Sequence, residues 1–237
     1  MADADLFPDA PGDTPSDYLG HRARLRERLA AGGGEAFHDH ELLEFLLSLG
    51  RPRVDTKPTA KALLKEFGGL GGVFAADHQS LARVAGMGEL SIAALRAVQA
   101  VAVRLVKSRI ADRPVLANWQ ALLDYLRADM AHHPIERFRV LHLNTRNTLT
   151  HDELMSEGTV DQAAVYVRKV VGRALALESA AVILVHNHPS GDPSPSRADI
   201  DITKAIAAAG KPLGIAVHDH LIIGTQGHVS LRAQGLL

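Results

Sequence analysis

Apolar residues recur every three or four positions through the first half of the chain, the spacing of amphipathic helices. Five segments between residues 20 and 110 carry this pattern: GHRARLRERLA, HELLEFLLSLG, PTAKALLKEFGG, SLARVAGMG and LSIAALRAVQAVAVRLVKS. Gly or Pro separates most of them, and no strand-like alternation interrupts them. The pattern predicts an all-α domain of about five helices over residues 21–110.

After residue 110 the pattern changes, because short apolar segments typical of strands alternate with helical segments. WQALLDYLRADM and residues 162–177 predict helices, and FRVLHLN and TLTHDELM predict a β-hairpin around NTRN. AAVILVHNH predicts a buried strand, SRADIDITKAIAAAG predicts a helix closed by Gly210, and IAVHDHLIIG and HVSLRA predict two more strands. The predicted fold class is therefore α+β, with an α/β domain over residues 111–237.

Composition narrows the possible chemistry. The chain has 237 residues with an average hydrophobic content of 46%, and it contains no cysteine. Disulfides and thiolate ligands are therefore excluded, and any bound metal must use His, Asp or Glu. The N-terminus lacks the pattern of a signal peptide, and no apolar run is long enough to cross a bilayer. We expect a cytoplasmic protein with no membrane partner.

Charge is distributed unevenly along the chain. Residues 1–20 carry five Asp and no Lys or Arg, and their Pro, Asp and Gly content predicts a disordered acidic tail. Residues 21–110 carry 14 basic and 9 acidic side chains. This basic excess weakly indicates a surface that faces a polyanion.

The segment HNHPSGDPSPSRAD, residues 186–199, carries the candidate chemistry. His186 and His188 are two residues apart at the end of a predicted strand, so both side chains project to one face. The prolines and glycine that follow turn the chain, and Asp199 lies in the first turn of the next helix, where it can face the histidines. Two imidazoles and one carboxylate leave a fourth position for water, as in catalytic zinc sites, although iron or manganese also suits these ligands.

A purely structural interpretation accounts for the same residues singly. Ser196 followed by Asp199 is a variant of the helix capping box, and paired histidines beside prolines can form a polar strand end. The combination of two same-face histidines, a tight turn and a carboxylate behind a Ser cap favours a site for one zinc ion per chain.

The string H-x-H-P-x6-S-x-x-D, matched by His186, His188, Pro189, Ser196 and Asp199, is the JAMM signature of MPN-type metallopeptidases. From about residue 20 onward the chain closely resembles the bacterial RadC family, notably in AAVILVHNHPSGDPSPSRADIDITKA and DHLIIG. The resemblance implies a mixed, curved sheet flanked by helices. It also implies a glutamate general base at the start of the first core strand.

Glu136 precedes FRVLHLN and is the candidate for this base, while Glu153, Glu157 and Glu178 are also available. By the same resemblance, Ser196 would hydrogen-bond the attacking water or the developing oxyanion. The implied activity is zinc-dependent hydrolysis of an amide or isopeptide bond in a peptide or protein substrate. His218-Asp219-His220 repeats the spacing of the histidine pair, and we expect it to pack around or orient the ligands rather than bind a second metal.

A second hypothesis comes from LARVAGMGELSIAALRAV, residues 81–98, which resembles a helix-hairpin-helix motif turned by Gly86-Met87-Gly88. Such glycines allow a backbone to approach a phosphate, so non-specific DNA binding is possible, although an ordinary αα-hairpin explains them equally. The alternative function is a DNA-associated accessory protein, linked to repair or recombination, that uses the JAMM domain as a binding scaffold.

Overall fold

The computed structural model describes residues 15–32, 34–35, 37–158 and 165–237. The helices of this part are α1 Pro15–Gly32, α2 Asp39–Gly50, α3 Lys57–Phe67, α4 Leu70–Ala75, α5 His78–Ala82, α6 Glu89–Ser108, α7 Trp119–Met130, α8 Val167–Ala176 and α9 Arg197–Gly210. The strands are β1 Glu136–Leu143, β2 Leu149–Gly158, β3 Ala181–Asn187, β4 Ala216–Gly224 and β5 Gly227–Ser230. Contacts divide the described chain into two compact units, one containing residues up to 70 with 78–95, and the other containing residues 71–77 with 96–237.

The first unit is entirely helical among its described residues, as the helical spacing predicts. Its helices bury a leucine-rich core that includes Leu25, Leu43, Leu47, Leu63 and Leu81. Helix α3 has a proline in its first turn and is capped after Phe67 by Gly68, whose φ of 73° lies in the left-handed region that suits glycine. These are the start and stop positions that the two residue types favour.

Three details differ from the sequence prediction. Residues 15–20 of the expected tail lie in α1, which begins at Pro15, a residue suited to a first helical turn; residues 1–14 lie outside the described part. The segment LGGVFA forms the short helix α4, which the pattern of the sequence did not predict because two of its six residues are glycine. The division by contacts also differs from the predicted boundary after residue 110, because Val103, Val106 and Ile110 pack with the core of the second unit.

The second unit contains a mixed five-stranded sheet in the order β2-β1-β3-β4-β5. Only β3 and β4 are parallel, and the other neighbours are antiparallel. Helix α7 packs on one face of the sheet, and the core between them includes Leu141, Ile183 and Val185. Helices α8 and α9 pack on the opposite face over the cluster that includes Val182 and Leu184. This arrangement confirms the predicted α+β class with a helix-flanked sheet.

Strand β3 explains how the sheet positions a site. All seven of its residues are buried, since helices cover both faces, and its sequence AVILVHN is accordingly a continuous apolar run until its last two residues. The alternation that places Val182 and Leu184 under α8 and α9 also places His186 on that face, whereas Asn187 faces the other way.

No helix among the described residues has the length and apolar character needed to cross a bilayer.

Candidate metal centre

Two histidines lie at the carboxyl end of β3. His186 is 1% exposed, and its ring stacks on Phe138 with centroids 6.2 Å apart. His188 follows the strand and is tied to β4, because its backbone N–H donates to the Ile223 carbonyl oxygen at 2.9 Å. Its Nδ1 lies 2.8 Å from the Asp192 carbonyl oxygen, which can only accept a hydrogen bond. This contact places one ring proton on Nδ1, so Nε2 is the nitrogen of His188 that can bind a metal.

Asp199 reaches the histidines from the first turn of α9. Ser196 caps this helix, since its Oγ accepts from the Asp199 backbone N–H at 3.2 Å and its own backbone N–H donates to Asp199 Oδ2 at 2.7 Å. The Ser196 hydroxyl lies 2.6 Å from the same Oδ2. The capping box of the structural interpretation is therefore present, and it orients the carboxylate so that Oδ1 lies 3.2 Å from His186 Nε2.

The three side chains offer donor atoms at the spacing a single ion needs. One possible ligand atom from each of His186, His188 and Asp199 lies within 4.8 Å of the others. The two Nε2 atoms are 3.0 Å apart, and His188 Nε2 lies 3.8 Å from Asp199 Oδ2. Ligands about 2.0–2.1 Å from a tetrahedral zinc are roughly 3.3 Å apart, so the group fits zinc with small adjustments.

The electrostatics of the group favour an ionised carboxylate on Asp199. Burial by itself would raise the pKa of Asp199, but hydrogen bonds with His186, His188 and Ser196 lower it well below its usual range. The hydrogen bond to Asp199 raises the pKa of His188 against the opposing effect of burial. Burial lowers the pKa of the neighbouring His220 well below its usual value. The strongest negative charge of the group therefore lies on Asp199, where it would face a cation.

A cavity of about 530 Å³ opens beside the three side chains. Its polar lining includes Glu136, His188, Ser196 and Asp199, and its apolar lining includes Phe138 and Ile202. Glu136 is the first residue of β1 and is half-buried, so its carboxylate shares the cavity with the candidate ligands. The arrangement provides room for a substrate and a carboxylate that is not one of the three clustered donors.

The competing glutamates are engaged elsewhere. Glu153 forms two hydrogen bonds with Arg173, at 2.6 and 2.7 Å, and Glu157 accepts from Arg137 Nε at 3.0 Å. Neither residue, nor Glu178, lines the cavity beside the histidines. Among the glutamates considered, the structure brings only Glu136 to the cavity, while its role as a base stays a prediction.

Asn187, between the two histidines, contributes a contact that the sequence did not suggest. Its side chain is fully buried, and its Oδ1 accepts from the Arg137 backbone N–H at 2.9 Å. Its Nδ2 donates to the carbonyl oxygens of Ile135 and His133 at 3.1 and 3.2 Å. These bonds hold the backbone on both sides of Glu136, so β3 carries the candidate ligand His186 and also fixes the position of the candidate base.

The two histidines of the His218-Asp219-His220 cluster lie in different surroundings. His220 lies under the site with its Nε2 2.8 Å from His186 Nδ1, whereas His218 Nε2 contacts Asn147 Oδ1 at 2.7 Å. Asp219 instead accepts from the His220 and Arg232 backbone N–H groups. The spacing of His218 and His220 pointed to this strand, but it could not show which histidine faces the site.

The Gly86-Met87-Gly88 hairpin has a packing explanation within the helical unit. Gly86 has a φ of 86°, and a Cβ there would lie 2.3 Å from Thr59 Oγ1. Its carbonyl oxygen accepts a hydrogen bond from Arg51. Gly86 is thus required by its own neighbours, and DNA binding through residues 81–98 stays a prediction.

Comparison with known proteins gives two family matches. A model described as the RadC-like JAB domain matches residues 116–236, and one described as UPF0758 N-terminal matches residues 18–93. A "UPF0758 protein" of Rhodobacter capsulatus is 53% identical over 213 residues, which cover 90% of this chain and all of that protein. "UPF0758 protein SPO0054" of Ruegeria pomeroyi is 48% identical over 223 residues, covering 94% of this chain and all of the relative.

Proposed function

This chain belongs to the RadC family, as its sequence predicted, and we propose that it is a zinc-dependent hydrolase that cleaves an amide or isopeptide bond of a peptide or protein. The observation that carries the proposal is the convergence of His186, His188 and Asp199 beside a cavity that also contains a separate carboxylate. Three protein ligands with a fourth position open are the arrangement of catalytic rather than structural zinc.

His186 and His188 would hold the ion through Nε2, and Asp199 through its carboxylate. When bound, zinc supplies a Lewis acid that polarises a carbonyl group and increases the acidity of a water molecule. The lining of Phe138 and Ile202 would exclude bulk water from the apolar side of the cavity and strengthen interactions between charges within it.

Glu136 is the proposed general base. Its carboxylate would accept a proton from the attacking water and then donate it to the leaving amine, which needs the carboxylate to lie within hydrogen-bond reach of both. The bonds from Asn187 to the flanking backbone keep it at the edge of the cavity. Ser196 is exposed and lines the cavity, and its hydroxyl would turn from Asp199 Oδ2 to donate to the water or the oxyanion, while its backbone N–H continues to donate to Asp199 Oδ2.

The test compares Glu136→Gln with Glu157→Gln. We expect E136Q to retain about one zinc per chain and to lose at least about 100-fold in turnover, since general-base catalysis contributes typically that much or more. Zinc content is measured by elemental mass spectrometry, and turnover by amine release from a library of peptides and isopeptides. E157Q is the matched control, because Glu157 lies on the neighbouring strand but outside the cavity, and it should retain both zinc and turnover. Equal turnover in wild type and E136Q would refute the assignment.

A DNA-associated scaffold remains the second candidate, supported by the excess of 14 basic over 9 acidic residues in 21–110. Non-specific DNA binding through that segment would weaken steeply with added salt. Salt-dependent retention on DNA, together with bound zinc and no amide cleavage, would favour this candidate over the hydrolase.

A further inference from the structure

A buried imidazole from β4 lies behind the candidate metal ligands. His220 is 0% exposed, and its ring centroid lies 4.8 Å from that of His186 and 5.6 Å from that of Phe138. Helix α9 covers it through Thr203, which is also 0% exposed. A polar ring in such a place needs partners for both nitrogens, because burying an unpaired polar group is costly.

Both nitrogens of His220 have a partner. Its Nε2 lies 2.8 Å from His186 Nδ1, and its Nδ1 lies 2.5 Å from Thr203 Oγ1. The Thr203 hydroxyl in turn donates to the Asp199 carbonyl oxygen at 2.5 Å. The contacts therefore run from one candidate ligand on β3, through β4, to the backbone of another candidate ligand on α9.

The chemistry of these atoms permits one direction of donation. The Asp199 carbonyl oxygen can only accept, so the single hydroxyl proton of Thr203 is committed to it. Thr203 Oγ1 must then accept from His220, which places the His220 proton on Nδ1. A neutral imidazole has one N–H, so His220 Nε2 accepts from His186, whose proton is thereby held on Nδ1.

We propose that Thr203 and His220 are positioning residues that hold His186 as its Nδ1–H tautomer, with the Nε2 lone pair directed at the zinc. The inference deepens the proposed function and rests on it, since it concerns the same metal. His188 reaches the same tautomer directly, through the Asp192 carbonyl oxygen. Because an imidazole rather than a carboxylate contacts His186, the site gains orientation without a further negative charge.

The matched test uses Thr203→Val and Thr203→Ser. Valine keeps the branched shape but has no hydroxyl, so His220 loses the acceptor for its Nδ1 proton and is expected to move that proton to Nε2. It would then donate to His186 Nδ1 and leave the proton of His186 on Nε2, the atom that must bind zinc. We expect T203V to weaken zinc binding about 10- to 100-fold, the range for lost partners of metal-bound histidines, and T203S to restore it.

Thr150→Val, on β2, is the control for loss of a threonine hydroxyl elsewhere in the same unit. Its hydroxyl donates to the His142 carbonyl oxygen at 3.1 Å, away from the candidate ligands. This variant should bind zinc as the wild type does. Zinc affinity is measured by competition with a chromogenic chelator on the full chain.

The second measurement reads the tautomers themselves. Long-range proton–nitrogen correlation spectra of the zinc-loaded wild type should show His186 and His220 both protonated at Nδ1, whereas His220 of T203V should be protonated at Nε2. A wild-type His220 protonated at Nε2 overturns the inference even if T203V does not fold. Zinc binding by the wild type with unchanged affinity in folded T203V overturns the inference alone, whereas absence of zinc binding by the wild type overturns the proposed function as well.

Discussion

Asn187→Ala tests how β3 holds the start of β1. The substitution removes three hydrogen bonds from a fully buried side chain, with lengths of 2.9, 3.1 and 3.2 Å. At a net value of about 1 kcal/mol each, their loss amounts to about 3 kcal/mol. The Arg137 N–H also loses its acceptor, but water can reach this half-buried edge and offset part of that penalty. We expect the free energy of unfolding to fall by about 2–4 kcal/mol.

The assay is urea unfolding, accompanied by zinc titration and turnover of the same protein. Zinc affinity should remain near that of the wild type, because Asn187 faces away from the His186 side of the sheet. Turnover should fall, because the backbone that flanks Glu136 is released. Asn118→Ala is the control: its side chain donates one bond, to the Arg109 carbonyl oxygen at 2.8 Å, so its loss should cost about 1 kcal/mol or less.

A loss below about 1 kcal/mol in N187A would refute the reasoning, since it would mean that the three bonds contribute almost nothing. The Arg137 amide should exchange its hydrogen faster in N187A than in the wild type, because it loses its acceptor. An unchanged exchange rate would also contradict the reasoning. Loss of zinc together with turnover would show that Asn187 supports the ligands rather than the candidate base.

Two further predictions concern glycine packing and acid stability. Gly224→Ala places a Cβ 2.2 Å from the Gly191 carbonyl oxygen, so thermal unfolding should show that the free energy of unfolding falls by about 1–3 kcal/mol. Gly172→Ala lies in α8 with open space around its Cβ, and it should instead raise the free energy of unfolding by about 0.5–1 kcal/mol. Equal effects of the two substitutions would contradict this account. The hydrogen bond with Arg28 lowers the pKa of Glu41 to about 2, so its contribution is present above the unfolded pKa near 4.5 and is lost as pH falls towards 2. After allowance for solvent screening this contribution is about 1 kcal/mol, and Glu41→Gln should remove it from stability measured against pH; an unchanged acid limb would contradict the prediction.

The candidate ligands could be predicted from the sequence because their geometry is local. Alternation along a strand and the position of a capped first helical turn fix where His186 and Asp199 point, and both depend on neighbours within about four residues. The apolar run of β3 likewise predicted a strand covered on both faces. Family resemblance, rather than local pattern, selected Glu136 from the other glutamates.

The supporting residues could not be found in this way, because their contacts join distant segments. His220 is 34 residues from His186, and their contact depends on the parallel register of β3 and β4, in which Leu184 is opposite His220. That register skips a residue between Val217 and Asp219, so the surroundings of His218 and His220 do not follow from their spacing. Asn187 has a partner 50 residues earlier in the chain, and only the assembled sheet shows it.

X-ray absorption at the zinc edge of the purified full-length chain tests the central claim most directly. The account predicts about one zinc per chain with two imidazoles in its coordination shell, at about 2.0–2.1 Å, and one or two additional oxygen ligands. Asp199→Asn should lose the ion or bind it much more weakly. A protein that takes up no zinc, or holds it without imidazole scattering, would contradict the account.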